Sequence, residues 1–482
     1  MIAKNKKKLE ISLLICWMLT LLSINSNLYG VNEYANYQIY SFKKIIISFN
    51  YLRFHLPFVI LIFLTSLFFF IKKKFNFILC IFFFYFFYQL ILLVFLNDGI
   101  NERVQSVLGK KIVNYQLIVN AISTLLIFYY SNIIKFKNFY KKLLIIAMTF
   151  ITLISIFFSI QLILELFSQK ETYFLYISKT LAAEQLTLMQ ANPRITGLSR
   201  MVLLIFFLFY FINISEPKSK LIKYFTFVVL FICIFLIYGM QSRGSWLGIL
   251  LLILMNIFFY KEKVKKKIFT FIILIVLPIV TFHLFGKIKS HYFTGAITVE
   301  TENQENQENQ ENQENQENQE NQENHEKLMK MQERLTSNYS TSGRTEIWRN
   351  ILVIVIEEKI ILGKGPQADR YLLTNYINRN KNITNFFVYE NNASNAILYS
   401  YLCAGVFGLF AIIFIYANFI KLIYKNIFIK KNFFRNNILH NFSIVTSSYL
   451  IIRSIFENSF SVFSVDFMFF ILCYFIISER NN

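Results

Sequence analysis

Chemistry on phosphate or carboxylate groups needs fixed cations, and this chain carries cations of two kinds. Arg194, Arg200, Arg243, Arg344, Arg349, Arg370, Arg379 and Arg453 lie at or near one set of ends of long apolar stretches, whereas lysine dominates the gaps at the opposite ends. A lysine ammonium is a hydrated point charge. A guanidinium is a rigid planar fork that grips phosphate or carboxylate with two parallel hydrogen bonds. Arg453 stands apart because it falls inside an apolar stretch, where an arginine costs about 2.5 kcal/mol or more to insert. Such a residue faces a cavity or a partner, and Glu457, four residues on and on the same helix face, is the natural partner. A plain helix-stabilising pair, or snorkelling to the interface, would also account for Arg453. Snorkelling alone would also account for Arg243 at the end of its stretch.

What must position these residues is a membrane. Of the 482 residues, 55% are hydrophobic, 18% aromatic and only 16% charged, against roughly 25% charged in soluble domains. Mean hydropathy is +0.47. The 56 Phe come in runs such as Phe68-Phe69-Phe70 and Phe82-Phe83-Phe84. A net charge of +21 would suggest nucleic acid in a soluble chain, but the basic runs lie in gaps between apolar stretches. Nucleic-acid readers, cytosolic enzymes and small secreted domains are thereby excluded, and the lipid bilayer becomes the expected partner. Cys16, Cys80, Cys233, Cys403 and Cys473 all sit in apolar runs, with no pair at zinc-ligand spacing, which excludes a disulfide framework and a zinc site. Lys4 and Lys6 to Lys8 before apolar Ile11 resemble a signal peptide, but the small-residue cleavage pattern is missing. The segment reads as an uncleaved first span.

A spanning helix needs about 20 mostly apolar residues. Twelve stretches qualify: 9–25, 54–71, 75–96, 112–131, 143–167, 197–214, 221–240, 244–260, 267–286, 396–420, 441–456 and 460–478. The weakest is 441–456, with Arg453 and several Ser and Thr. With a cytoplasmic N-terminus, the inner segments hold 25 of the 49 Lys and Arg, the short outer segments 12, and the long segment 287–395 the other 12. The positive-inside rule discounts long loops, so both termini are expected in the cytoplasm. The expected fold is all-α: a polytopic transmembrane helical bundle of about 12 spans with one long extracytoplasmic loop. Its expected parts are N-terminal helices over 1–190, central helices over 191–286, the loop over 287–395 and C-terminal helices over 396–482.

Four local patterns lie in order on the outer side. The first is Asn192-Pro193-Arg194-Ile195-Thr196-Gly197-Leu198-Ser199-Arg200, and the second is Gln241-Ser242-Arg243-Gly244-Ser245-Trp246-Leu247-Gly248. The third is Gly343-Arg344-Thr345-Glu346-Ile347-Trp348, followed by an apolar helical stretch and Leu362-Gly363-Lys364-Gly365. The fourth is Ala393-Ser394-Asn395-Ala396-Ile397-Leu398-Tyr399, with Gly405 and Gly408 beyond it. In this order and topology, densest over roughly 190–410, the chain resembles the O-antigen ligase / O-antigen polymerase superfamily of membrane glycosyltransferases.

The resemblance implies a multi-pass protein of the bacterial cytoplasmic (inner) membrane with its site on the outer face. Such enzymes take a saccharide from undecaprenyl diphosphate and pass its reducing end to an acceptor. They do so without metal or cofactor, alongside a chain-length regulator or other polysaccharide-assembly proteins. On the family pattern Arg194, Arg200, Arg243 and Arg344 bind the diphosphate, with Arg453 added on the reading above. Fixed guanidinium groups would stabilise the charge that develops on the leaving group, with Arg243 and Arg344 closest to the chemistry. Ligases of the superfamily carry His before the Asn of the fourth pattern, where this chain has Ser394. His55, His283, His291, His325 and His440 do not match that position. A polymerase of lipid-linked repeat units therefore fits better than a ligase acting on lipid A–core or protein. A flippase or other transporter fits less well, since the ionisable residues gather at the outer surface rather than mid-span. Glu457 or Glu184 would serve as proton acceptor, and nothing in the spacing chooses between them. Asn395 would bind sugar or orient phosphate, or else cap a helix.

The long loop also holds seven uninterrupted Glu-Asn-Gln copies from Glu302 to Gln322. A perfect three-residue period without an apolar member can bury nothing, so the tract reads as a neutral, disordered expansion. Its removal is expected to leave activity within about twofold of the parent, measured as surface-glycan output from a strain carrying the deletion; a dead enzyme would give the tract a role.

Overall fold

A computed structural model describes residues 6–23, 55–67, 76–95, 111–136, 138–167, 195–215, 219–240, 242–259, 274–284, 344–379, 392–429 and 437–479. Arg194, Glu184, His291, His325 and the Glu-Asn-Gln tract lie outside them. The described residues are mostly helical, with no strand among them. In chain order the helices are α1 (Lys6–Ser23), α2 (His55–Leu67), α3 (Phe77–Phe95), α4 (Lys111–Ile134), α5 (Phe139–Phe167), α6 (Ile195–Ile214), α7 (Lys220–Gly239), α8 (Arg243–Phe259) and α9 (Leu274–Leu284). Then follow α10 (Arg344–Glu357), α11 (Ala368–Arg379), α12 (Ala396–Tyr424), α13 (Ile438–Ser454) and α14 (Val465–Glu479).

A helix stands at each of the twelve apolar stretches, and among the described residues five are long and apolar enough to cross a bilayer. These are α3, α4, α5, α7 and α12, the last taken with the π turn Lys425–Ile429 that continues it. Shorter apolar helices occupy α2, α6, α8 and α9. Against the expectation of about twelve spans, α1, α13 and α14 fall outside both groups. α1 opens on three lysines, α14 is 15 residues long, and α13 carries Asn441, Thr446 and Arg453 among its buried residues. These polar groups need protein neighbours rather than lipid.

The core forms where α13 packs on α6 and α14, and α3 packs on α4 and α12. Phenylalanine works on two surfaces of α3: Phe82 and Phe86 meet Phe467 of α14 edge-on at 5.4 and 5.2 Å, while Phe84 and Phe87 face outward. In lipid, outward Phe requires no partner. Close approach of α6, α8 and α13 depends on Gly248, where an added Cβ would stand 2.6 Å from Leu203 and 3.0 Å from Tyr449.

The third and fourth sequence patterns meet inside the bundle. α12 breaks at Ala404 and Gly405, and Gly405 takes φ +62. The break frees the carbonyls of Leu402 and Cys403, which accept from the N–H groups of Lys364 (2.9 Å) and Gly365 (3.0 Å). Val406 N–H in turn donates to Ile361 C=O at 3.0 Å. The hydroxyls of Tyr401 and Tyr88 donate to Ile360 C=O (2.8 Å) and Leu362 C=O (2.9 Å). Irregular backbone survives within a membrane domain only when its polar groups are satisfied by protein in this way. Gly363 (φ +83) lies against Gly405, and a Cβ on either would strike the other's backbone.

Gly405→Ala is therefore expected to lose about 2–5 kcal/mol through forced φ and collision with Ile361 C=O, read as a collapse of thermal stability in detergent. Gly244→Ala, with only the Tyr449 hydroxyl 4.0 Å away, should melt with the parent. Equal melting of both variants would contradict the inserted-segment geometry.

Candidate functional site

Ten residues, 455–464, connect α13 to α14, and this turn collects side chains from five helices. Arg453 lies in the last turn of α13 with a side chain only 10% exposed. Its Nη1 donates to Asp466 Oδ2 and to Ser459 Oγ, the latter at 3.0 Å. Arg200 of α6 donates Nη1 to the same Asp466 oxygen at 2.8 Å. Asp466 is fully buried in the first turn of α14, where the helix dipole favours a carboxylate. Two cations share one anion, leaving one positive charge in surplus. Arg200 Nε and Asp466 Oδ1 remain without hydrogen-bond partners.

This arrangement corrects the pairing expected for Arg453. α13 stops at Ser454, so Glu457 is not on its face. Glu457 instead receives Arg344 Nη2 at 3.0 Å, a pair about one-third exposed. Arg344 is the first residue of α10, and one turn on Trp348 fixes the helix to the turn. Its ring stacks on Phe456 at 6.4 Å, and its Nε1 donates to Ala393 C=O at 3.0 Å.

Asn395 serves as a helix cap. Its Oδ1 accepts from Ile397 and Leu398 N–H at 2.9 and 3.0 Å, and its Nδ2 donates to Ile455 C=O at 2.9 Å. Through these contacts Asn395 positions the turn against α12. Asn458 completes the tie: its Oδ1 accepts from Asn395 N–H (3.1 Å) and its Nδ2 donates to Asp369 Oδ2 (3.2 Å), which also accepts from Ala393 N–H (2.8 Å). Burial pushes the Asp369 carboxyl above its ordinary range, against the pull of Arg370 and these hydrogen bonds. Ser394, between Ala393 and Asn395, is held at φ +43 with its hydroxyl on Asn392 Oδ1 at 2.7 Å. It occupies the strained left-handed region that a non-glycine residue enters only when its surroundings impose it.

Arg243 opens α8, is exposed, and has no hydrogen-bond or ion-pair partner among the described residues. A short hydroxyl chain ties it to Arg200: Ser199, beside Arg200, donates to Ser242 at 2.9 Å, and Ser242 donates to Ser245 at 3.1 Å. Arg349 points outward, and Arg379 makes only a 3.9 Å pair with Glu358. Of the histidines, His283 meets the Tyr238 hydroxyl at 2.6 Å, while His440 is buried in the first turn of α13, the end opposite Arg453.

The cluster thus combines a guanidinium without a partner among the described residues (Arg243), a half-open ion pair (Arg344–Glu457) and two largely buried arginines around one carboxylate. An anion with several oxygens could engage Arg243 directly and replace Glu457 on Arg344. Sequence reasoning missed Asp466, Asn458, Ser459 and Asp369. Asp466 left a signal, a carboxylate within the apolar stretch 460–478, where a charge implies a buried partner; the others left none. Asp466→Asn should cost about 3–5 kcal/mol by stranding two largely buried arginines, measured by thermal unfolding of the purified protein. Unfolding at the parent temperature would remove Asp466 as the tie between α6, α13 and α14.

Residues 227–413 match the family model described as O-antigen ligase. No curated protein and no solved structure matches the chain. The matched span contains Arg243, Arg344, Asn395 and both partners of the α12 break, and it leaves Arg200, Arg453 and Asp466 outside. This domain is set among helices long and apolar enough to span a membrane, and over residues 227–413 the chain is similar to the O-antigen ligase family.

Proposed function

We propose that this protein transfers a saccharide from undecaprenyl diphosphate to a sugar hydroxyl at the outer face of the cytoplasmic membrane, extending a surface polysaccharide by repeat units. One observation carries the reading: guanidinium groups from α6, α10 and α13 are held on the 455–464 turn and on Asp466 just beyond it, while Arg243, at the start of α8, has no ion-pair partner among the described residues. The acceptor hydroxyl oxygen attacks the anomeric carbon, and the bond from that carbon to the phosphate oxygen breaks with its electron pair leaving on the diphosphate. Arg243 and Arg344 hold that charge in fixed bidentate geometry. Arg200 and Arg453, clamped by Asp466, hold the surrounding helix ends and supply positive potential. When the diphosphate takes Arg344, Glu457 is released and accepts the hydroxyl proton. The orientation follows from the lysine-rich inner segments.

Attachment of finished glycan to lipid A–core or protein is the second reading, favoured by the description of the matching family model. Ser394 in the place of the ligase histidine supports polymerisation instead. Deletion of the gene separates the two on a gel of surface glycan: single repeat units still attached to lipid A–core mean a polymerase, and loss of all attached glycan means a ligase. An unchanged pattern would sink both readings.

Arg243→Lys and Arg344→Lys keep the charge but lose the fork. Each is expected to insert normally and to lose transfer by a factor of about 100 or more, measured with lipid-linked repeat units in proteoliposomes. Near-parental rates in both would dismiss the diphosphate grip.

A further inference from the structure

The end of the bundle opposite the arginine turn holds a groove of its own. One stripe of α5 lines it, including Lys141, Ile145, Thr149 and Leu153, and Leu208 and Ile212 of α6 form the facing wall. Its volume is about 900 Å³, near the upper end of the range for small-molecule sites. From Lys141 to Leu153 the stripe runs twelve residues, about 18 Å along the helix axis, close to the depth of one leaflet. Polarity is graded along that length. The deep walls are largely apolar, whereas the mouth gathers Asn138, Lys141, Asn437 and Glu479. The two charges there stand at helix ends that suit the opposite sign. Lys141 is in the first turn of α5 and Glu479 is the last residue of α14, where the helix dipoles favour an anion and a cation respectively. Both are exposed, and neither has an ion-pair partner among the described residues. The neighbouring Lys142 differs, since it pairs with Glu10 of α1.

We infer that this groove binds one phospholipid with a zwitterionic, primary-amine head group of the phosphatidylethanolamine type, taken from the cytoplasmic leaflet. The phosphate lies against Lys141 and the start of α5, the ammonium against Glu479 and the end of α14, and an acyl chain follows the α5–α6 groove toward Leu153. Each helix end thereby receives the charge that its dipole favours. A purely anionic head group satisfies Lys141 but is repelled by Glu479. A quaternary ammonium brings the charge without an N–H to donate, and so forgoes the charge-assisted hydrogen bond. The leaflet follows from Lys135, Lys137, Lys141 and Lys142 at this end of α5. Two opposite, unpaired charges at one mouth distinguish the groove from ordinary lipid-facing surface. It shares no residue with the arginine cluster and stands independently of the reaction proposed above.

The test uses the full-length protein, stripped of lipid in detergent and titrated with phosphatidylethanolamine, phosphatidylglycerol or phosphatidylcholine under native mass spectrometry. Expected is tighter binding of phosphatidylethanolamine than of either other lipid, by a factor of about three or more. Glu479→Gln should erase that preference by bringing phosphatidylglycerol level, and Lys141→Gln should weaken both lipids together. Both side chains are exposed, and the variants are compared with the parent at matched folded fraction by circular dichroism. Lys421→Gln, in the last turn of α12 at the same end of the bundle but outside the groove, should bind as the parent does. Equal affinity of the parent for all three lipids would reduce the groove to general lipid contact and overturn the proposal. So would a preference that survives Glu479→Gln, or a loss in Lys421→Gln equal to that in Lys141→Gln.

Discussion

Asp466 is one carboxylate, fully buried, that accepts from guanidinium groups of two different helices. Charges removed from water must be compensated at once, so the start of α6, the end of α13 and the start of α14 are bound to one relative placement. That placement fixes the 455–464 turn, and the turn fixes the rest. Ser459 holds Arg453, Asn458 reaches Asp369 and Asn395, Phe456 seats Trp348, and Glu457 takes Arg344. Segments distant in sequence, three of them named by the sequence patterns, meet on a turn that belongs to none of the patterns.

A second constraint acts on the backbone. Where α12 opens at Gly405, carbonyls lose their helical partners at a depth where water is scarce, and the Leu362–Gly365 segment supplies replacement donors. α10 and α11 precede and follow that segment, so the break holds residues 344–379 against the bundle. Arg344, at the head of α10, owes its position to both constraints: Glu457 from the turn, and the inserted segment at the far end of its helix. Arg243 owes its place to α8, drawn against α6 and α13 by Gly248.

Much of this was legible in the sequence because lipid enforces simple rules. Apolar stretches located a helix at each of twelve places, and the separation of lysine from arginine singled out Arg200, Arg243, Arg344 and Arg453. The four patterns named both sides of the α12 break through Gly363, Gly365 and Gly405 without showing that they touch, since contact across some forty residues leaves no local period. Arg453 was assigned the wrong partner for a physical reason: spacing of four implies contact only while the helix continues, and α13 ends one residue later. For Asn395 the sequence offered ligand contact or capping, and the two accepted backbone hydrogen bonds show the cap. Five of the twelve stretches meet the length and hydropathy of a span among the described residues; polar α13 and short α14 do not, and both are packed against protein neighbours.

The Arg344–Glu457 pair is the most direct point of attack on the idea that this cluster receives a lipid diphosphate. Binding of polyprenyl diphosphate to the purified protein should be compared between the parent and Glu457→Gln by titration in detergent. Removing the competing carboxylate frees Arg344, so the arrangement predicts tighter binding by roughly two- to fivefold together with slower transfer, since the proton acceptor is gone. Weaker or unchanged binding, with transfer at the parental rate, would contradict it.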